Sequence, residues 1–175
     1  MKKIVCIFLF TVLITNVNAQ KNLPKAWLVK GLDYTYTIKP PTGWVGDDTS
    51  GRAQNLPLVF YPKTERWHNA VTAFYTSTWL LKDKETINDV MNADMMKYMQ
   101  TKIPVANKPD IKLQDNVVAR IREVMGDADG NYEEIAYITQ KNFVVLLVMT
   151  SRNKKDFYKT QSKFIDVVKS YKLIK

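Results

Sequence analysis

The rhythm of hydrophobic and polar positions changes several times along this chain, and each change marks an element. Residues 34–39 alternate aromatic or β-branched side chains with polar ones, which predicts a strand closed by Pro40, Pro41 and Gly43. Trp44 follows, then a polar loop over residues 45–55. Residues 56–61 predict a short strand stopped by Pro62, and residues 63–69 a polar turn. Residues 70–81, rich in Val, Thr, Phe, Tyr and Trp, predict a long strand. Over residues 86–103 the period lengthens. Ile87, Val90, Met91, Asp94, Tyr98 and Ile103 include helical spacings, Thr86 with Asp89 makes a capping box, and Pro104 ends the helix. Residues 109–115 read as a connector with a short strand. Residues 117–125 and 131–140 predict two strands flanking a Gly/Asp turn at 126–130. Residues 142–150 are almost continuously apolar.

That last run sets the architecture. An antiparallel strand with one wet face alternates, whereas one apolar on both faces is covered on both sides. The sheet therefore needs a layer on each face. A helix over residues 154–171 supplies one layer: at 100° per residue, Phe157, Gln161, Phe164, Val168 and Tyr171 fall on one side, and Lys155, Lys159, Lys163 and Asp166 fall opposite. The chain shows no internal repeat and no domain boundary after the leader.

The N-terminus has a different logic. Lys2 and Lys3 precede an apolar run over residues 4–14 that only Thr11 interrupts, and Val17 and Ala19 occupy the −3 and −1 positions of a cleavage site. This pattern reads as a signal peptide over residues 1–19, cleaved after Ala19, so the expected location is secreted or periplasmic. As a helix the run rises only about 16 Å, half of the roughly 30 Å a membrane span needs. The only cysteine, Cys6, lies inside it. The expected mature chain has no cysteine, which excludes disulfides, thiolate nucleophiles and cysteine-ligated metals. Residues 20–33, punctuated by Pro24 and Gly31, read as a lead-in to a domain over residues 34–175.

The full chain carries 26 Lys and Arg against 17 Asp and Glu, a net charge of +9. Removing Lys2 and Lys3 leaves +7. Residues 152–175 hold eight basic residues against Asp156 and Asp166, so +6 of that charge sits at the C-terminal end.

Two segments match a known group: Tyr36-Thr37-Ile38-Lys39-Pro40-Pro41-Thr42-Gly43-Trp44 near the start and Phe164-Ile165-Asp166-Val167-Val168-Lys169-Ser170-Tyr171 near the end. With the order of elements between them, the chain resembles the PsbP-like family, named for an extrinsic photosystem II subunit. The resemblance implies an α+β fold: a single-domain α-β-α sandwich with a central antiparallel sheet of about six to seven strands and helices on both faces. It also implies a binding or assembly module. The family shares no common catalytic residues, so no site carries over, and the fold implies no photosynthetic role.

Candidate chemistry is sparse. His68 is the only histidine, which excludes a site needing two. With Arg66 and Trp67 it forms a candidate contact patch, because loop aromatics and arginine favour interfaces. Trp44 reads as a core aromatic or as the lining of a ligand cleft, with Asp47 and Asp48 as its acid/base groups. Residues 127–131, with Glu133 and Glu134, suggest a calcium loop, but Gly130 falls at position four and Ile138 at position twelve, which the EF-hand pattern does not accept. Glu133 and Glu134 are adjacent in a strand and point to opposite faces. Arg120 and Arg122 share one face, where salt bridges to the neighbouring strand are expected. Met91, Met95 and Met99 have core spacing. Lys155, Lys159 and Lys163 form a basic face able to meet an anionic partner.

The expectation is a secreted, monomeric, non-catalytic binding or assembly module that contacts a protein or an anionic envelope component, with no metal, cofactor or nucleic acid. The alternative is a small carboxylate-dependent hydrolase with its cleft near Trp44.

Overall fold

The computed structural model describes residues 25–126 and 130–174. The expected signal peptide with its cleavage site, and residues 127–129 of the Gly/Asp turn, lie outside the described residues.

Among the described residues, ten strands and two α-helices follow in the order β1 (Trp27–Lys30), β2 (Thr35–Ile38), β3 (Trp44–Asp47), β4 (Leu58–Pro62), β5 (Thr72–Leu80), α1 (Ile87–Gln100), β6 (Val105–Lys112), β7 (Val118–Val124), β8 (Tyr132–Thr139), β9 (Phe143–Ser151), α2 (Lys154–Lys169) and β10 (Lys172–Leu173). Seven of the strands form one sheet in the order β3-β4-β5-β9-β8-β7-β6, and β1, β2 and β10 form a smaller one. Every pairing is antiparallel. The fold class is therefore α+β.

β9 is the axis of the core. Its residues from Phe143 to Met149 are all buried, and they divide by parity. Phe143, Val145, Leu147 and Met149 join a cluster with Phe157, Phe164, Val167 and Val168 of α2 and with Tyr36 and Ile38 of β2. Val144, Leu146 and Val148 join a second cluster with Val90, Met91, Met95 and Tyr98 of α1. A strand's period of two thus feeds one sequence into two hydrophobic clusters. Burial of each large side chain contributes about 2 kcal/mol, so apolar packing anchors both helices.

α1 begins where the capping box predicts. Thr86 is its N-cap: the Thr86 N–H donates to Asp89 Oδ2 at 2.8 Å, and the Asp89 N–H donates back to Thr86 Oγ1 at 3.4 Å. α2 starts from Asn153, whose side chain accepts from the Asp156 N–H at 3.1 Å.

Four differences from the sequence reading have physical reasons. β1, β3 and β10 have four, four and two residues, too short to show a period. β3 lies where the sequence predicts a polar loop, and Gly46 within it admits the Trp27 indole, which a Cβ there would overlap. β6 spans eight residues, including Pro109, where the sequence predicts a connector with only a short strand. It tolerates the proline because it is an edge strand whose register shifts between Lys108 and Ile111. The methionine stripe divides: Met91 and Met95 are buried, but Met99 is 71 % exposed beyond the edge of the sheet cluster.

Candidate functional site

The segment leaving β2 sets the site. Gly43 turns at φ +84°, a left-handed conformation that glycine adopts without strain. It delivers Trp44 onto the sheet, where the indole is 7 % exposed and stacks on Phe74 with ring centroids 4.5 Å apart. Phe74 in turn meets Phe164 of α2 edge to face at 5.7 Å. Trp44 is therefore a core aromatic. Its ring is also within reach of solvent-side chemistry, since Lys163 Nζ lies 5.8 Å from its centroid, a cation–π distance.

A cavity of about 380 Å³ opens beside it, between α2 and residues 42–44. Trp44, Glu65, Asp156, Lys159 and Lys163 are among its lining residues. A second cavity of about 300 Å³ continues along α2, lined by Lys39, Pro40, Pro41, Thr42, Lys163, Asp166, Val167 and Ser170. Thr42 and Lys163 border both cavities, which together form a groove along the helix.

The groove brings together Trp44, Lys159 and Lys163, which the sequence places in two separate candidate sites. Lys155 is exposed but lines neither cavity, so the basic face does not act as one row of three. Arg66 is the N-cap of a short 3-10 turn over Trp67–Asn69, next to Glu65 at the groove's edge. Trp67 is held by its Nε1 hydrogen bond to Gln54 Oε1 at 3.1 Å and by an edge contact with Tyr75. His68 is exposed.

Asp47 and Asp48 do not line this groove. Asp47 ends β3 and accepts five hydrogen bonds: from the N–H and hydroxyl of Thr49, from the N–H and hydroxyl of Ser50, and from Tyr61 at 2.9 Å. Burial works to raise its pKa, but the Ser50 and Thr49 hydrogen bonds outweigh it and hold the carboxyl well below the usual range. A carboxylate so fully engaged ties down a turn and has little basicity left for proton transfer. Asp48 borders a different cavity, with Lys25, Ala26, Trp27 and Leu28. Of the three residues that the sequence groups in one cleft, only Trp44 lines the cavity beside α2.

One cluster is invisible to sequence reasoning. Glu123 of β7 and Glu134 of β8 are directly opposed across the strands, and both are 3 % exposed. Lys108 Nζ of β6 lies 2.8 Å from Glu123 Oε2, and Tyr158 and Gln161 of α2 donate to the same carboxylate at 3.2 and 3.1 Å. Burial pushes the Glu134 carboxyl up to about 7; Lys108 pulls against this and Glu123 reinforces it. Glu133 points the other way and accepts from Tyr98 of α1, as strand alternation requires. Arg120 of β7 donates to Asn88 of α1 at 2.5 Å, and Arg122 to the Ile121 carbonyl.

Among the described residues, no group of three or more His, Cys, Asp or Glu is disposed to hold a metal ion. No helix among them is long and apolar enough to cross a membrane.

A two-layer order of sheet and α2, entered through the 39–44 segment, is also the fold of a known group. Over 89 % of its length the chain superposes on 96 % of the solution structure of cyanobacterial PsbP (CyanoP) from Synechocystis sp. PCC 6803, with a TM-score of 0.57 and 15 % identity. The chain thus has the PsbP-like fold that residues 36–44 and 164–171 imply. A Bacteroides thetaiotaomicron VPI-5482 crystal structure matches 80 % of this chain and 45 % of its own, with a TM-score of 0.50 and 10 % identity. The Ran-binding protein Mog1p of Saccharomyces cerevisiae matches 86 % and 96 %, with a TM-score of 0.49 and 10 % identity. No protein-family model and no curated protein sequence matches the chain.

Proposed function

We propose that this protein is an exported, non-catalytic binding module whose groove between α2 and residues 39–44 docks an anionic partner, a protein segment or an envelope component. The observation that carries the reading is the convergence of Lys159 and Lys163 on a groove floored by Trp44. Exposed cations around a mostly buried aromatic make a surface that gains from electrostatic steering and from a little apolar burial. Lys39 extends the positive side along the second cavity. Of the three carboxylates that border the groove, Glu65 is engaged by the Val71 N–H at 2.9 Å.

The division of β9 between two clusters supports helices on the two opposite faces of the large sheet, with α2 and the small sheet forming one outer layer. The leader over residues 1–19 supports export, with cleavage after Ala19 and a location outside the cytoplasm. The hydrolase alternative loses its support, because its two aspartates belong to a turn and to another cavity.

The test is co-sedimentation with vesicles of neutral or anionic lipid, beside capture from the host's envelope fraction, each with wild type and with the K159E/K163E variant. The expected outcome is one anionic partner in one of these arms, lost at least tenfold in the variant, equivalent to about 1.4 kcal/mol. Equal retention by wild type and variant in both arms would contradict the proposal.

A further inference from the structure

The buried carboxyl pair of β7 and β8 has no part in the groove beside α2, since neither Glu123 nor Glu134 lines its cavities. Its contacts nevertheless reach that helix. Tyr158 and Gln161 of α2 donate to Glu123 at 3.2 and 3.1 Å, and Lys108 of β6 approaches the same carboxylate at 2.8 Å. The cluster therefore joins β6, β7 and β8 to the first half of α2. Lys159 and Lys163 stand on either side of Gln161 in the sequence of that helix.

The two carboxyls are unequally served. Glu123 takes all three contacts. Glu134 lies directly across from it, equally buried at 3 % exposure, and its Oε2 has no hydrogen-bond partner among the described residues. The surroundings add no second cation. Tyr132 and Tyr158 are the further titratable groups on this side of the sheet, β6 sets Ala106 opposite Glu123, and β9 sets Met149 opposite Glu134. One ammonium group thus faces two buried carboxyls. An ionised Glu134 is a buried anion beside a like charge, without a donor on Oε2. A proton there removes the charge and makes the group a donor.

We infer that this cluster is a proton-operated latch on the first half of α2. With a proton on Glu134 the helix is held against β7 and β8. With both carboxyls ionised, their repulsion is relieved when residues 154–161 loosen and admit water. Burial raises the Glu134 carboxyl to about 7, and in the loosened helix it returns towards 4.5. Loosening thus releases a proton and becomes easier as pH rises through 7. It also carries Lys159 away from Trp44. That consequence for docking rests on the groove reading, whereas the latch itself does not.

The test is amide hydrogen exchange of the isolated protein at pH 6 and pH 8, corrected for intrinsic rates and repeated in low urea. No partner is present, so the outcome is independent of the docking groove. The opening constant of the amides of residues 157–161 is expected to rise about tenfold between the two pH values, as the difference between the closed and loosened carboxyl requires. A local opening exposes little surface, so these amides are expected to respond weakly to urea, unlike those of β5 that exchange by global unfolding. E134Q is expected to abolish the rise. E123Q, which removes the like charge, is expected to move the rise to lower pH. Three results would overturn the inference: an opening constant that does not change between pH 6 and pH 8, an unchanged rise in E134Q, or α2 amides that follow those of β5 at every pH and urea concentration.

Discussion

Glu123 and Glu134 face each other across β7 and β8, and both are buried. Lys108, Tyr158 and Gln161 all contact the Glu123 carboxylate, while burial raises the carboxyl pKa of Glu134. Its carboxyl titrates at about 7 in the fold, against 4.5 in an unfolded chain. Between those values the folded state holds the extra proton. Stability is therefore highest below about pH 4.5 as far as this group is concerned, and falls as pH rises through 7. The loss approaches about 3 kcal/mol at pH 8, because each tenfold difference in proton affinity between folded and unfolded chain is worth about 1.4 kcal/mol. E134Q is expected to remove this pH dependence and to be the more stable form at pH 8, as measured by urea unfolding at pH 5 and pH 8. The opposite faces of Glu133 and Glu134 are legible from strand parity alone. The opposition of Glu134 to Glu123 is not, because register depends on the hairpin between them. Trp44 has the mixed character that its sequence context implies, a core ring with one edge on a groove. Asp47 and Asp48 show the reverse: a pair of acids beside an aromatic suggests chemistry, but hydrogen bonds to the next two residues decide what Asp47 does.

Elements with many residues of consistent period are the ones the sequence specifies best. β5, β8, α1 and α2 form within the predicted segments and β9 overruns its own by one residue, because each carries enough apolar positions to fix a face. The short strands escape for the same reason: β1 and β10 exist through their pairing with β2, not through their own pattern. α1 is the element most dependent on a local signal. Only four of its residues are buried, so its first turn rests heavily on the Thr86–Asp89 box. T86A is expected to cost about 1 kcal/mol of stability, seen as a lower midpoint in urea unfolding with the slope unchanged. α2 differs in burying five residues, with two phenylalanines among them, and holds its place through the core. That firmness lets its exposed edge carry Lys159 and Lys163 at fixed positions beside Trp44.

At the scale of the whole molecule, the basic charge concentrated in residues 152–175 acquires a location. It surrounds α2, and two of its lysines meet the 39–44 segment in one groove. The lysines and Trp44 are each legible as candidates in the sequence. Their union is not, since 115 residues separate Trp44 from Lys159 and only the sheet brings them together. The most direct measurement of the docking groove places a photo-crosslinking amino acid at Thr42, an exposed position that borders both cavities. A matching probe at Met96, exposed on α1, serves as the control. Illumination in the native host is predicted to give a discrete adduct from position 42, absent from position 96 and lost when K159E/K163E is added. Equal adducts from both positions, or one from position 42 that survives K159E/K163E, would contradict the account.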